Sequence, residues 1–465
     1  MIRRTLMRRA YNSGRWEKAR NYARKIVSKP KEAKLARSVI IRSYWNQGNY
    51  SMVLELNQKW DGEFDYLLEQ KSSTSDQFGP DGDRIFPQRV VAWHSNQPSP
   101  GDTYIEYDET NVCNNFLQEG ERVWMRHPHG WTFWDMPLGF SLKKTHPDLL
   151  KLTAEILLYP WYPNSRGKSK GSRRKGKQPS LSFSAGTDST AACIIMPENT
   201  ILGYHRRSVK STLDHRNADT LLEHLKGNGR NVIDVISNHE LIRTYHGKQI
   251  GFSSDFACAT HLILLADMYD IGAIAFGMPI DNSYLWKGRL YRDFGEGEFF
   301  QYWSGRFESA GLDLLLPIAG ISEAGALKIC KQSPLIDLMN SCLRGDGKSG
   351  CGDCWKCFHK NGPLGRSFNI EAREIQTFLN RIPMPTAMHA LWAIQTMDLS
   401  RKAPQHLTPM LERDLSWWSQ FYPPSEKIIP IRWREEILQK ITSLLGIMKE
   451  PYQLEQVNLY DETRN

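Results

Sequence analysis

The chain has 465 residues, longer than one ordinary domain, so two or three folded units are expected. Hydrophobic residues at 40%, charged residues at 24% and aromatic residues at 11% exclude a disordered or collagen-like chain. The net charge of +9 is local: seven Lys or Arg crowd residues 164–177, and removing them leaves +2, which makes nucleic acid a secondary expectation.

The start, MIRRTLMRR, is basic but is followed by no apolar run or small-residue cleavage site, so a secretory signal does not fit. Residues 1–70 read as helical. Aligning YNSGRWEKA (11–19) with WNQGNYSMV (45–53) superposes Asn, Gly and an aromatic residue at an offset of 34. With Gly-x-aromatic opening a helix and Pro30 closing it, this resembles a tetratricopeptide hairpin. About one and a half repeats fit, fewer than a stack needs, so the hairpin is expected to pack on the rest of the chain or on a protein partner.

Short β-branched and aromatic runs at 89–93, 103–107, 122–125 and 131–134 predict a small antiparallel sheet within 84–163, closed by a helix over 147–158. Residues 164–179 read as a basic, Gly/Ser-interleaved flexible linker. From residue 180 the grammar changes. Apolar runs at 181–183, 201–204, 232–236, 273–276 and 312–316 alternate with helix-length segments at 189–195, 217–225, 255–269, 300–310 and 323–330. That alternation predicts a parallel five-stranded sheet wound with helices on both faces. The segment richest in apolar residues, 261–280, is broken by Asp267 and Asp270, so no membrane span is expected and a cytoplasmic location is. Residues 369–465 read as a Pro-punctuated helical region, with Trp392, Trp417, Trp418 and Trp433 as packing residues.

Two motifs carry chemistry. LSFSAGTDSTAAC (181–193) is an apolar strand, a tight turn and a helix opening. Small residues let backbone N–H groups turn inward, the hydroxyls of Ser184 and Ser189 add donors, and the helix end favours an anion. Asp188 would repel a bare phosphate, which suggests a bridging Mg²⁺; the bland alternative is a well-capped strand-to-helix turn. SCLRGDGKSGCGDCWKC places Cys342, Cys351, Cys354 and Cys357 within sixteen residues. Thiolates at that spacing can surround one zinc ion, and an iron–sulfur cluster is the competitor. Cys193, Cys258 and Cys330 stand alone in apolar helix contexts and read as core.

SAGTDS (Ser184, Ala185, Gly186, Thr187, Asp188, Ser189) resembles the SGGxDS loop of PP-loop ATP pyrophosphatases, which bind ATP by its pyrophosphate and transfer AMP to a substrate oxygen; Ala185 departs from that pattern. With a GxxxD segment (277–281), LPIAGISEAGALKI (316–329) and the cysteine run, residues 180–368 resemble 7-cyano-7-deazaguanine synthases. The resemblance implies an adenine nucleotide α-hydrolase-like fold, ATP at 184–189, Asp281 near substrate or metal, and a structural zinc on the four cysteines. It implies an ATP-dependent ligase in which a carboxylate or carbonyl oxygen is adenylated and a nitrogen nucleophile then gives an amide or nitrile. The acceptor would be a carboxylate-bearing small molecule or a larger protein or sugar. Asp188, Ser184 and Asp281 are the expected reacting-site residues, and Arg206, Arg207, Lys287 and Arg289 the candidate cations. Two other readings share the fold: sulfur transfer to tRNA, which needs a reactive thiol outside the cluster, and a PP-loop binding module whose Ala185 marks lost turnover.

Overall fold

The computed structural model describes residues 2–47, 50–64, 107–128, 130–162, 171–208, 215–246, 251–342, 344–345 and 347–459. The expected strand at 89–93 lies outside these residues, as does that at 103–107 apart from Tyr107.

Four helices open the chain: α1 (Ile2–Asn12), α2 (Trp16–Arg24), α3 (Pro30–Asn46) and α4 (Tyr50–Lys59). Met7, Ala10, Ala19, Ala23, Ile26 and Ala36 form an apolar cluster of their own between them. Pro30 does not close a helix. It stands at the first position of α3, where its fixed φ suits the first turn and its missing N–H costs nothing.

The remainder is organised by one mixed sheet of eight strands in the order β1-β2-β3-β6-β5-β4-β7-β10. The antiparallel members are β1 (Phe116–Glu119), β2 (Arg122–His127) and β3 (Gly130–Asp135). The parallel members are β4 (Gln178–Ser182), β5 (Ile201–Arg207), β6 (Val232–Ser237), β7 (Ile271–Phe276) and β10 (Asp313–Leu315). All five parallel strands fall on the apolar runs that predicted them. The β1–β3 meander is not a separate sheet, because Trp134 of β3 pairs antiparallel with Ser237 of β6 and Asn238 takes the Phe133 amide at 2.8 Å. A two-stranded ribbon, β8 (Leu285–Trp286) and β9 (Leu290–Tyr291), follows β7.

Alternate residues of the strands feed two cores. Ala273, Ala275 and Leu315 face one cluster, Ile274, Phe276 and Leu314 the other. The second is covered by α5 (Pro147–Leu158), α8 (Thr260–Leu264), α9 (Glu298–Ser309), α11 (Arg373–Leu379) and α12 (Ala387–Thr396). The first is covered by α6 (Thr187–Ile195), α7 (Arg216–Gly227), α10 (Glu323–Lys331) and α13 (Ile431–Leu444). β7 (IGAIAF) is buried throughout, as a strand covered on both faces must be. The C-terminal segment thus lends Ile375, Leu391 and Trp418 to the second core and Trp433, Ile437 and Ile441 to the first; Trp392 and Trp417 are half-buried against the second.

The basic stretch before β4 is only partly what its composition suggested. Arg173 is buried, with its guanidinium bonded to the carbonyls of Gly311 (2.8 Å) and Ile271 (3.0 Å) and paired with Asp267 (2.7 Å). Lys175 pairs with Asp313 at 2.6 Å. Residues 171–177 are therefore a strap pinned at Arg173 and Lys175, whose charges meet carbonyls and carboxylates, while Arg174 and Lys177 are exposed. No helix among the described residues is long and apolar enough to cross a membrane.

Candidate functional site

The sheet order places β4 in the middle, with β5 and β6 on one side and β7 and β10 on the other. Such a reversal opens a crevice at the carboxyl ends of the two central strands. A cleft of about 660 Å³ lies there, between the Ser184–Ser189 turn that joins β4 to α6 and the Gly277–Asn282 segment that leaves β7. The two walls approach closely at Gly277. A Cβ there would stand 2.8 Å from the Ser189 nitrogen, so glycine is needed to bring the β7 segment against the first turn of α6.

The turn is held from within and from outside. Ser189 Oγ accepts from the Ser184 amide at 3.2 Å and contacts Ser184 Oγ at 3.0 Å. The Thr187 amide donates to Ser341 Oγ at 3.0 Å, and the two hydroxyls meet at 2.7 Å. Ala185 adopts φ 57° with its methyl buried in the α6-side core. The turn keeps the left-handed conformation that glycine would take most cheaply, at a steric cost of roughly 1–2 kcal/mol.

Asp188 opens α6 and does not stand free: Lys360 Nζ lies 2.8 Å from its Oδ1 and 3.0 Å from Oε2 of Glu323, the first residue of α10. The Glu323 amide donates to Asp281 Oδ2 at 3.1 Å, while Asp281 Oδ1 has no hydrogen-bond partner among the described residues. His359 Nδ1 and His389 Nε2 approach Glu323 Oε2 at 3.8 and 3.6 Å, and His389 also contacts the His359 carbonyl at 2.9 Å. Burial pushes Asp281 well above the usual carboxylate range, and the nearby charge of Glu323 adds to this. Burial acts the same way on Glu323, but Lys360 and the two imidazoles overcome it and hold that carboxyl at about 2. Burial holds His389 down at about 4, so its imidazole is neutral. Glu323, His359 and His389 have the donor set of a metal site, but the Lys360 ammonium already sits on the carboxylate oxygen a metal would need.

Of the expected cations, Arg207 and Lys287 line the cleft. Arg206 does not; Asp234 (2.7 Å) and Asp219 (2.8 Å) hold it on the sheet's surface. Arg289 is buried outside the cleft lining. Arg207 is committed to Glu240. Cys258, expected in the core, is half-buried in the cleft wall, and burial raises its thiol to about 11. Cys193 and Cys330 are buried in the α6-side core as expected.

The four clustered cysteines converge. Sγ separations are 3.8 Å (Cys342–Cys354), 4.0 Å (Cys351–Cys357) and 3.5 Å (Cys354–Cys357). Four thiolates about 2.3 Å from one tetrahedral ion stand roughly 3.8 Å apart, so the group fits a metal such as zinc. The amides of Arg344 (3.3 Å) and Cys351 (3.2 Å) point at Cys342 Sγ, offsetting thiolate charge. Gly352, at φ 75°, makes the tight turn between the second and third ligands.

Sequence reasoning did not find Lys360, His359, His389 or Ser341, and did not single out Glu323 within the 316–329 motif. The available signals were local: Ser322 caps α10 ahead of Glu323, and Lys360 lies one turn beyond Cys357. Residues 302–460, about a third of the chain, match the model of a family of unknown function, DUF6395. No curated protein matches the chain. The matched segment holds the cysteine cluster, Glu323, Lys360 and both histidines, and leaves the Ser184–Ser189 turn outside it.

Proposed function

We propose that the protein is an ATP-dependent ligase of the PP-loop type, built on an adenine nucleotide α-hydrolase-like fold, which adenylates a carboxylate or carbonyl oxygen for attack by nitrogen. The observation that carries this reading is the Ser184–Ser189 turn, set between a central parallel strand and a helix N-terminus at the point where the strand order reverses. Its amides and hydroxyls suit a pyrophosphate. It contains no lysine of the Gly-Lys-Ser/Thr kind that stabilises charge on a transferred γ-phosphate.

In this reading the acceptor oxygen attacks the α-phosphorus, the bond from that phosphorus to the α,β-bridging oxygen breaks and pyrophosphate leaves; the nitrogen nucleophile then displaces AMP. Ser184, Ser189 and the start of α6 hold the departing phosphates, and Asp281 stands where the acceptor would lie. Mg²⁺ would supply further charge neutralisation, and the cleft residues that would hold it are Asp281 and, through the carboxylate oxygen that Lys360 leaves, Asp188. The cysteine cluster holds zinc in a structural role, its four ligands leaving no open position. Sulfur transfer is disfavoured by Cys258: a thiol raised to about 11 is a poor source of thiolate.

The test is the fate of ATP. Incubated with Mg·ATP, ammonia and a panel of carboxylates, the protein should form AMP and pyrophosphate one for one, resolved by anion exchange, and the acceptor should gain nitrogen. ADP and inorganic phosphate as main products would refute the reading.

A further inference from the structure

The cysteine cluster lies against the phosphate turn, and the contact is made at both ends of the segment that carries it. Ser341, next to the first cysteine, takes the Thr187 amide. Lys360, one turn past the last, pairs with Asp188. Between them, inside Cys354-Trp-Lys-Cys357, Lys356 lines the cleft together with Ser184, Gly186, Asp188 and Ser189.

Charge says what that lysine does. The N-terminus of α6 contributes about half a positive charge. Asp188 would cancel it, and Lys360 in turn is consumed by Asp188 and Glu323. A tri- or tetra-anionic polyphosphate entering the turn would then meet almost no net positive charge. Among the described residues three cationic side chains line the cleft: Arg207, committed to Glu240, Lys287 on the segment after Asp281, and Lys356. Lys356 has no carboxylate partner among the described residues, its ammonium resting 5.8 Å from the Trp355 ring. Its backbone lies in the helical turn that opens at Trp355, between two of the clustered cysteines, so binding need not order the segment that carries it.

We propose that Lys356 binds the β- and γ-phosphates of the nucleotide, so that the metal-binding segment forms one wall of the phosphate subsite rather than only bracing the fold. The proposal rests on the adenylating reading and extends it to a residue between two metal ligands. The lysine absent from the turn is supplied in trans along the chain, from 167 to 172 residues downstream of the turn it faces.

The experiment is calorimetric titration of the full-length protein with Mg·pyrophosphate, Mg·ATP and AMP, alongside metal analysis of each variant. In Lys356→Met the affinity for pyrophosphate and ATP should fall tenfold or more, and AMP binding should change less than threefold. Lys356→Arg should recover most of the loss, whereas Lys331→Met, an exposed lysine at the far end of α10, should have no effect. Unchanged metal content in Lys356→Met shows that the cluster is intact; a fall in metal content with loss of AMP binding as well would overturn the assignment. So would pyrophosphate affinity equal to wild type in Lys356→Met. If wild-type protein binds neither ATP nor pyrophosphate, the adenylating reading itself fails.

Discussion

Replacing Ala185 by glycine tests whether the turn is a working phosphate cradle or a damaged one. Ala185 sits at φ 57° with 2% of its surface exposed. Relieving a left-handed alanine recovers roughly 1–2 kcal/mol. Glycine loses about 0.8 kcal/mol of methyl burial and roughly 0.4–1 kcal/mol through the freer unfolded chain. The contributions nearly cancel, so Ala185→Gly should change unfolding free energy by less than about 1 kcal/mol in either direction. The amides already point as they would with glycine, so ATP affinity should move by less than about fivefold, the equivalent of 1 kcal/mol. Denaturant unfolding and calorimetric titration with Mg·ATP read both quantities. A gain of tenfold or more in affinity would refute the reasoning, because it would mean that alanine holds the turn away from the shape glycine adopts.

Lys360→Met should cost roughly 3 kcal/mol, since it strands the buried Glu323 carboxylate and the half-buried Asp188. The deficit against wild type should shrink as the pH falls and those carboxylates, their folded pKa now raised, take up protons; urea unfolding at several pH values measures it. Elemental analysis should find one zinc per chain, with chelation or Cys354→Ser lowering the unfolding midpoint; iron with acid-labile sulfide would refute zinc. Folded His239 titrates at about 3 and His261 at about 4, both lowered first by burial. The unfolded chain therefore binds more protons below about 6.5, and stability should fall as the pH drops through that value, levelling only below about 3. A thermal midpoint flat between pH 7 and 5 would contradict this. Gly320→Ala would place a Cβ 1.8 Å from Ser425 Oγ and 2.6 Å from its Cβ. It should destabilise by roughly 1–3 kcal/mol, and Ser425→Gly should relieve much of that in a double-mutant cycle.

The parallel strands were legible because a strand covered on both faces must be apolar along its length, and 181–183, 201–204 and 273–276 are such runs. The tight Ser184–Ser189 turn and the cysteine cluster were legible because a strand-to-helix turn and a four-thiol group are both built from residues close in sequence. What was not legible depends on distant pairing. That β3 extends the main sheet rests on Trp134 meeting Ser237, and nothing in 130–135 names its partner. Lys360 reaches Asp188 across 172 residues, and a lone lysine carries no mark of being buried between two carboxylates. The basic run misled for a related reason: composition counts charges, whereas Arg173 is defined by the carbonyls that surround it.

The site's charge balance explains why so much of it comes from the C-terminal third. Asp188 and Glu323 share one cation, and ordering it from a free segment would cost about 1–2 kcal/mol of backbone entropy per residue besides the side chain's own loss. Delivering Lys360 from a segment already fixed by four thiols avoids the backbone part of that cost. The segment is itself clamped from behind: Trp355 stacks on Phe378 of α11 at 5.9 Å and 13°, and His389 of α12 bonds the His359 carbonyl. Glu323, the other carboxylate on Lys360, is placed by the same tail, since Ser322 donates to the Trp418 carbonyl and the Tyr422 amide to that of Gly320 at 2.9 Å. Two rigid connections thus run from the C-terminal helices to the first turn of α6. A substitution in the tail that loosens either one shifts Lys360 relative to Asp188, and so reaches the Ser184–Ser189 turn without touching it.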